Sequence, residues 1–339
     1  MVQYSSMRFW PEKGVRDRSI ERLLALRAGL AKDVTPSSKA TSFHLATWNI
    51  RDFGGHKLNP CPRSDEALVY IAEIVSAFDL VAIQEVNDDL AAFEKLMRLL
   101  GPHWDYMVTD TSGNQERLAF VFDRRKISFR HIAGEIVLPE VKGKPVAQFN
   151  RTPYCVSFQA GWFKFNLCTV HIYYGSATDT AKRIAEIDAI AQFFAKRQKQ
   201  TGETYILLGD FNILNPDDAT MKPLLGGGFE IPKELRNPTA LATVNYYDQI
   251  ALKPAKRQVE IAKAGVFDWQ NYVFRAPEDY EAYKPSITGK NDLATYQKWR
   301  TWQISDHKPL WAEIRMDFTD DYLKSLKSDA APLADFKPK

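Results

Sequence analysis

Two short segments far apart in the chain, Gly209-Asp210-Phe211-Asn212 and Ser305-Asp306-His307, combine side chains that handle metals, protons and phosphates. Each lies beside an apolar run: Tyr205-Ile-Leu-Leu precedes the first and Pro309-Leu-Trp-Ala-Glu-Ile follows the second. Five further segments share this character: Thr47-Trp48-Asn49-Ile50, Ile83-Gln84-Glu85, Glu116-Arg117, Thr169-Val170-His171 and Tyr247-Asp248-Gln249-Ile250. One carboxylate at a strand end is commonplace; an ordered series of Asn, Glu, Glu, His, Asp-x-Asn, Asp and Asp-His is not. Phosphodiester hydrolysis needs an activated water, neutralisation of phosphate charge, and a proton for the leaving oxygen. Magnesium takes oxygen ligands and keeps several waters, so one or two carboxylates and an amide oxygen suffice, a role that suits Asn49, Glu85 and Asp306. His171 and His307 move protons near neutral pH if Glu116 and Asp248 orient them. Asp210 and Asn212 can grip the water, the phosphate or a second metal, and Arg51 and Arg151 can bind phosphate through a planar fork.

These residues must be carried on regular elements. Asp17–Lys32 has Ile20, Leu23, Leu24 and Leu30 at roughly helical spacing, with Leu26 off that stripe and Asp17 or Ser19 as cap. Thr35-Pro36-Ser37-Ser38 reads as a linker, so residues 1–40 form an appended helical arm, followed by a catalytic domain over 41–316 and a tail over 317–339. Strands are expected over Phe43–Ile50, Leu80–Gln84, Leu118–Phe122, Tyr154–Phe158, Lys164–His171, Tyr205–Leu208, Gln249–Leu252 and Leu310–Ile314, and helices over Asp65–Phe78, Asp89–Leu100 and Ala181–Gln198. Consecutive strands between 118 and 171 without helices require antiparallel pairing. Two mixed, largely antiparallel sheets packed together with helices outside fit this pattern better than a doubly wound sheet. Residues 253–304 form a long aromatic-rich connection, and Gly226-Gly227-Gly228 reads as a flexible turn.

Composition bounds the partners. The 339 residues are 45% hydrophobic and carry a net charge of only +3, so a nucleic-acid surface has to be a local patch. The three cysteines, Cys61, Cys155 and Cys168, have neither zinc spacing nor an even count for a disulfide framework, which fits a reducing compartment. The N-terminus Met1-Val-Gln-Tyr-Ser-Ser-Met-Arg lacks an apolar signal core and no stretch reaches membrane-span length, so a cytoplasmic location is expected. No protein partner is legible.

The ordered motifs resemble the endonuclease/exonuclease/phosphatase superfamily, and within it the deoxyribonuclease I group, over roughly residues 43–315. Trp48-Asn49-Ile50-Arg51-Asp52-Phe53-Gly54 resembles the first-strand motif with a metal-site Asn and a phosphate-contacting Arg. Ile83-Gln84-Glu85-Val86 is similar to the metal Glu motif, Glu116-Arg117-Leu118-Ala119-Phe120 to the segment that orients the first histidine, and Asn150-Arg151-Thr152-Pro153 to the phosphate-binding Arg segment. The resemblance implies a four-layer α/β/β/α sandwich, cleavage dependent on Mg2+ with Mn2+ able to substitute, and a paired-histidine mechanism built on Glu116–His171 and Asp248–His307. The expected activity is that of a DNA endonuclease; the alternative is a phosphatase or phosphodiesterase on a small or lipid phosphoester.

The departures concern substrate. Asn87 stands where the group has a minor-groove Arg, Asn114 where it stacks a Tyr, and the cysteines that follow Asp-x-Asn are missing. Tyr173 and Tyr174 follow His171 where smaller residues are expected; with Trp269, Tyr272, Trp299 and Trp302 they either stack bases or fill the core. His44, His56, His103 and His131 lie outside the motifs and read as structural or solvent-facing.

Overall fold

The computed structural model describes residues 1–34, 36, 38, 40–54, 62–140, 142–255 and 259–327. His56 and Cys61 lie outside the described residues. Helix α1 (Lys13–Asp33) leads into the long strand β1 (Ser42–Phe53), and α2 (Asp65–Ser76) crosses back to β2 (Leu80–Asn87). Helix α3 (Ala91–Leu100) precedes five strands with no described helix between them: β3 (Trp104–Val108), β4 (Glu116–Asp123), β5 (Ile127–Glu135), β6 (Tyr154–Ala160) and β7 (Phe163–His171). Helix α4 (Ala181–Thr201) then leads to β8 (Tyr205–Asp210), α5 (Lys222–Gly226), β9 (Asp248–Lys253), β10 (Ile261–Val266), α6 (Tyr280–Tyr283), α7 (Leu293–Gln303), β11 (Leu310–Arg315) and α8 (Thr319–Lys327).

The strands form a six-stranded sheet, β10-β11-β1-β2-β4-β3, and a five-stranded sheet, β5-β6-β7-β8-β9. Each contains a single parallel pair, β1 with β2 and β7 with β8, joined by an outer helix, α2 or α4; every other pairing is antiparallel. The sheets pack face to face through apolar side chains that include Leu45, Phe120, Phe158, Phe165 and Leu167. The alternate residues of β1, Ala46, Trp48 and Ile50, pack with α2 residues in a second cluster. Thus β1 is buried on both faces, which is why its sequence shows a run rather than an alternation.

The N-terminal arm departs from its expected register. Helix α1 begins at Lys13 after Glu12, and Ser19 lies inside it, its hydroxyl bonded to the Val15 carbonyl at 2.8 Å. The buried stripe is Leu23, Leu26 and Leu30, with Leu26 wholly enclosed and Ile20 and Leu24 exposed. The arm is fixed to the body by Arg22 on Asp279 (2.6 Å) and Arg27 on Glu73 (2.6 Å). The 253–304 connection is structured in its described part: β10 forms an edge on β11, while Trp269 and Tyr296 are fully buried. Trp299 and Trp302 are also buried, and Tyr272 stacks on Phe267 at 5.5 Å, so these aromatics belong to the packing. Gly226 ends α5, so the glycine run is partly helical. His44 is buried with Nδ1 at 3.2 Å from the Ala77 carbonyl, whereas His103 and His131 are exposed.

Candidate active site

The two parallel pairs bring their C-terminal ends to the same rim of the sandwich. On β7 and β8, His171 and Asp210 are direct partners; on β1 and β2, Asn49 pairs with Gln84, one residue before Glu85. A buried polar chain sets the two sheets against each other: Thr47 Oγ1 donates to Gln84 Oε1 (3.3 Å) and Gln84 Nε2 donates to Thr169 Oγ1 (2.9 Å). Such a network between apolar faces fixes register, because a slip strands polar atoms in the core.

With Gln84 facing the other sheet, strict alternation would turn Glu85 outward. Instead Glu85 adopts φ +62° where the β2–β4 register shifts, and its Oε1 accepts from Asn49 Nδ2 at 2.8 Å. The Asn49 amide also donates to Asp210 Oδ2 (3.0 Å), which defines its orientation and leaves Oδ1 buried without a hydrogen-bond partner. An unpaired buried carbonyl oxygen is costly in an apolar setting and is suited to a cation. Burial pushes the Glu85 carboxyl up, and the charges of Glu116 and Asp306 add to this. Among the described residues no three His, Cys, Asp or Glu side chains converge as a cage. Asp306, the third residue expected at a metal, is half-exposed and lies 3.4 Å from Arg51 Nη1.

The histidines are arranged alike. His171 Nδ1 lies 3.0 Å from Glu116 Oε2, and His307 Nδ1 lies 2.7 Å from Asp248 Oδ2. Their Nε2 atoms approach one oxygen, Asp210 Oδ2, at 3.6 and 3.8 Å. Burial disfavours the charged form of both rings. For His171, Glu116 and Asp210 outweigh burial and Arg151 and raise the pKa; for His307, Asp248, Asp210 and Asp306 raise it well above the ordinary value. Asp210 Oδ1 accepts from the Asn212 backbone N–H (2.9 Å), and Asn212, at φ +54°, donates through Nδ2 to the Ile172 carbonyl (2.8 Å). Asn212 thus ties the loop after Asp210 to the loop after His171.

The arginines are less free than their positions in sequence suggest. The Arg151 fork is spent on Glu116, with Nε 2.6 Å from Oε2 and Nη2 3.2 Å from Oε1, and the side chain is buried. Burial pushes Glu116 up, but the His171 and Arg151 contacts prevail and hold it at about 2. Arg51 lies with its guanidinium carbon 3.5 Å from the Trp302 ring centroid, donates to Thr301 Oγ1 at 2.6 Å, and stands 3.4 Å from Asp306 Oδ2. Tyr173 is half-buried with Lys182 Nζ 4.1 Å over its ring, and Asn114 is exposed in a left-handed turn before Glu116.

Several supporting residues carried no sequence signal. Ser305 Oγ donates to the Asn49 carbonyl (2.6 Å) and accepts from the His307 N–H (2.9 Å), joining the two halves. Glu186 of α4 accepts from the Asn150 and Tyr173 N–H groups, each at 3.1 Å, bracketing His171. Arg63 spans the carbonyls of Arg51, Asp52 (2.9 Å) and Gln303 (3.1 Å). Ser305 opens a recognised motif but had no role assigned, and Glu186 and Arg63 look in sequence like ordinary helix or loop charges.

The architecture and the rim of Asn, carboxylates and histidines define a hydrolytic sandwich. The Endonuclease/Exonuclease/phosphatase family matches residues 46–307, and the chain belongs to that family. Deoxyribonuclease-1 of Sus scrofa is 30% identical over 184 residues, covering 51% of this chain and 61% of that protein. Deoxyribonuclease-1 of Bos taurus is 27% identical over 247 residues, covering 68% and 84%. The chain therefore spans less than two thirds of the length of the pig relative. The Bacteroides thetaiotaomicron mannosyl-6-phosphatase structure shares the fold at a TM-score of 0.53 and 18% identity, covering 80% of this chain and 99% of that one. Among the described residues no helix is long and apolar enough to cross a membrane.

Proposed function

We propose that the protein is a magnesium-dependent endonuclease acting on DNA through paired histidines. One observation carries the reading: two imidazoles, each backed by its own carboxylate, direct Nε2 toward a single Asp210 oxygen, one from the end of β7 and one from the loop before β11. One histidine takes a proton from the attacking water and the other delivers one to the departing oxygen, with Glu116 and Asp248 fixing the tautomers and favouring the charged forms. Asp210 holds the site between the rings, where it can orient the water. Asn49, Glu85 and Asp306 would hold a divalent cation, with the unpaired Asn49 Oδ1 as the clearest donor to it. Bound there, magnesium or manganese supplies Lewis-acid polarisation of the scissile phosphate. Arg51, kept planar against Trp302, offers charge to a phosphate at the rim, while Arg151 supports Glu116.

A second reading, hydrolysis of a small or lipid phosphoester, draws on the commitment of Arg151 to Glu116, which removes one anchor for a polyanion. Both readings meet in one assay on supercoiled plasmid, single-stranded DNA, RNA and a soluble phosphomonoester. Metal-dependent nicking lost in His171→Ala supports the endonuclease; phosphate release without nucleic-acid cleavage replaces it with the second reading.

A further inference from the structure

We propose that Tyr174 and Tyr247 form a ledge beside His307 on which an unpaired nucleobase stacks next to the scissile phosphate; this rests on the nucleic-acid reading above. Three rings run from the rim to the surface. Tyr247 is 5.4 Å from the His307 ring, tilted by 32°, and Tyr174 stands edge-on to Tyr247 at 6.4 Å and 87°. The Tyr174 ring is 38% exposed, large for an aromatic so close to a buried histidine.

The ledge is held from behind. Arg183 of α4 is wholly buried, 4.7 Å from the Tyr174 ring centroid, and donates through Nη2 to the carbonyls of Tyr174 and Ser176 (2.9 Å to the latter). Its Nε and Nη1 have no hydrogen-bond partner, a costly placement for a guanidinium. Because Arg183 is enclosed, the exposed surface of Tyr174 is not the surface that meets it. The cation thus backs the ring and leaves another part of it open to a base. Tyr247 is fixed by Asn245 Nδ2, which donates to its hydroxyl at 2.7 Å. The turn between Tyr174 and Ser176 depends on Gly175 at φ +66°, where an added Cβ would sit 3.0 Å from the Tyr173 ring. Tyr173, covered by Lys182, is the less available of the two adjacent rings.

A base can lie on such a ledge only when it leaves its duplex stack. That points to single-stranded or frayed DNA, and agrees with Asn87 and Asn114 standing where the resembled group has its minor-groove Arg and stacking Tyr.

The test is fluorescence anisotropy with a short labelled single-stranded oligodeoxynucleotide, in chelator to stop turnover, against the same backbone made fully abasic. The proteins are the parent, Tyr174→Leu and Tyr174→Trp. Tyr174→Leu should weaken binding of the base-containing strand roughly ten-fold, leave the abasic strand unaffected, and be rescued by Tyr174→Trp. Equal loss on both strands, or no loss on either, overturns the ledge. The parent's cleavage of DNA with magnesium is read separately. Cleavage with no base-dependent role for Tyr174 sinks the ledge alone. Base-dependent binding through Tyr174 without cleavage supports the ledge and sinks the endonuclease. No binding of either strand by the parent overturns the ledge.

Discussion

Replacing Glu116 by Gln tests the buried end of the histidine relay in isolation from turnover. Glu116 is nearly enclosed, engages Arg151 through two hydrogen bonds and lies 3.0 Å from His171 Nδ1. Its carboxyl is held at about 2, against 4.5 when unperturbed. At about 1.4 kcal/mol per pKa unit, that difference corresponds to roughly 3 kcal/mol of native stability. Breaking one side of a buried ion pair costs a similar ~3–5 kcal/mol. A depressed carboxylate contributes this stability in full above its unfolded value of 4.5 and loses it as pH falls toward the folded value of about 2. Glu116→Gln should therefore be less stable than the parent by about 3 kcal/mol at pH 7. The gap should hold down to about pH 4.5 and then narrow by about 1.4 kcal/mol per pH unit. The assay is urea unfolding in chelator at half-unit steps from pH 7 to pH 3, wherever the parent still unfolds cooperatively. A gap that stays constant from pH 6 to pH 3, or that is absent at pH 7, refutes the assignment of Glu116 as the charged partner of His171 and Arg151.

Four other outcomes follow from the same geometry. His171→Ala and His307→Ala should each lower turnover by roughly 10²–10⁴-fold while still unfolding cooperatively; full activity in either removes the paired mechanism. Asp248→Asn should lower the His307 pKa in an NMR titration, because it removes the largest charge that raises it. The sign is that of a raised histidine: its stabilisation is complete below the unfolded value of 6.5 and disappears as pH rises through the higher folded value, so an unmoved titration sinks the Asp248 assignment. Asn49→Leu, which deletes the unpaired Oδ1, should abolish calorimetric heat on adding magnesium or manganese; retained binding places the cation elsewhere. Trp302→Ala removes the surface beneath Arg51 and should raise KM for a phosphodiester several-fold, as loss of about 1 kcal/mol of cation–π contact would; an unchanged KM means that Arg51 needs no such backing.

The layers were legible because β1, β2, β7 and β8 are short apolar runs that end in polar motifs, and such ends in parallel pairs must lie at one rim. The pairing of Glu116 with His171 and of Asp248 with His307 was expected from the resemblance; the Nδ1 atoms lie 3.0 and 2.7 Å from those carboxylates. Periodicity failed where neighbours overrode it. Leu26 was set aside because it broke a stripe, yet α2 and the 253–304 segment enclose the side of α1 that carries it. Strands β3, β5 and β10 are partly exposed edge or near-edge strands with mixed residues, so they lack the apolar run that marked the inner ones. The turn of Glu85 toward Asn49 was invisible, since a left-handed Glu looks in sequence like any strand residue. Arg151 carried the chemistry of a phosphate fork, but only the folded chain reveals that Glu116 occupies it.

The order of strands in the larger sheet bears on when the enzyme can first become active. Strand β1 lies between β2, which follows it closely, and β11, which closes the sheet more than 250 residues later by aligning Ser42 with Arg315. The loop that carries Asp306 and His307 is tethered by that closure and by the Ser305 hydroxyl on the Asn49 carbonyl. A nascent chain emerging from the ribosome therefore holds Asn49 and Glu85 long before it holds His307. Long-range pairings of this kind form late, because loop closure precedes the contacts that reward it. Synthesis itself leaves the rim incomplete until its last strand is made, and a chain interrupted before β11 leaves a fragment without the pairing that holds His307.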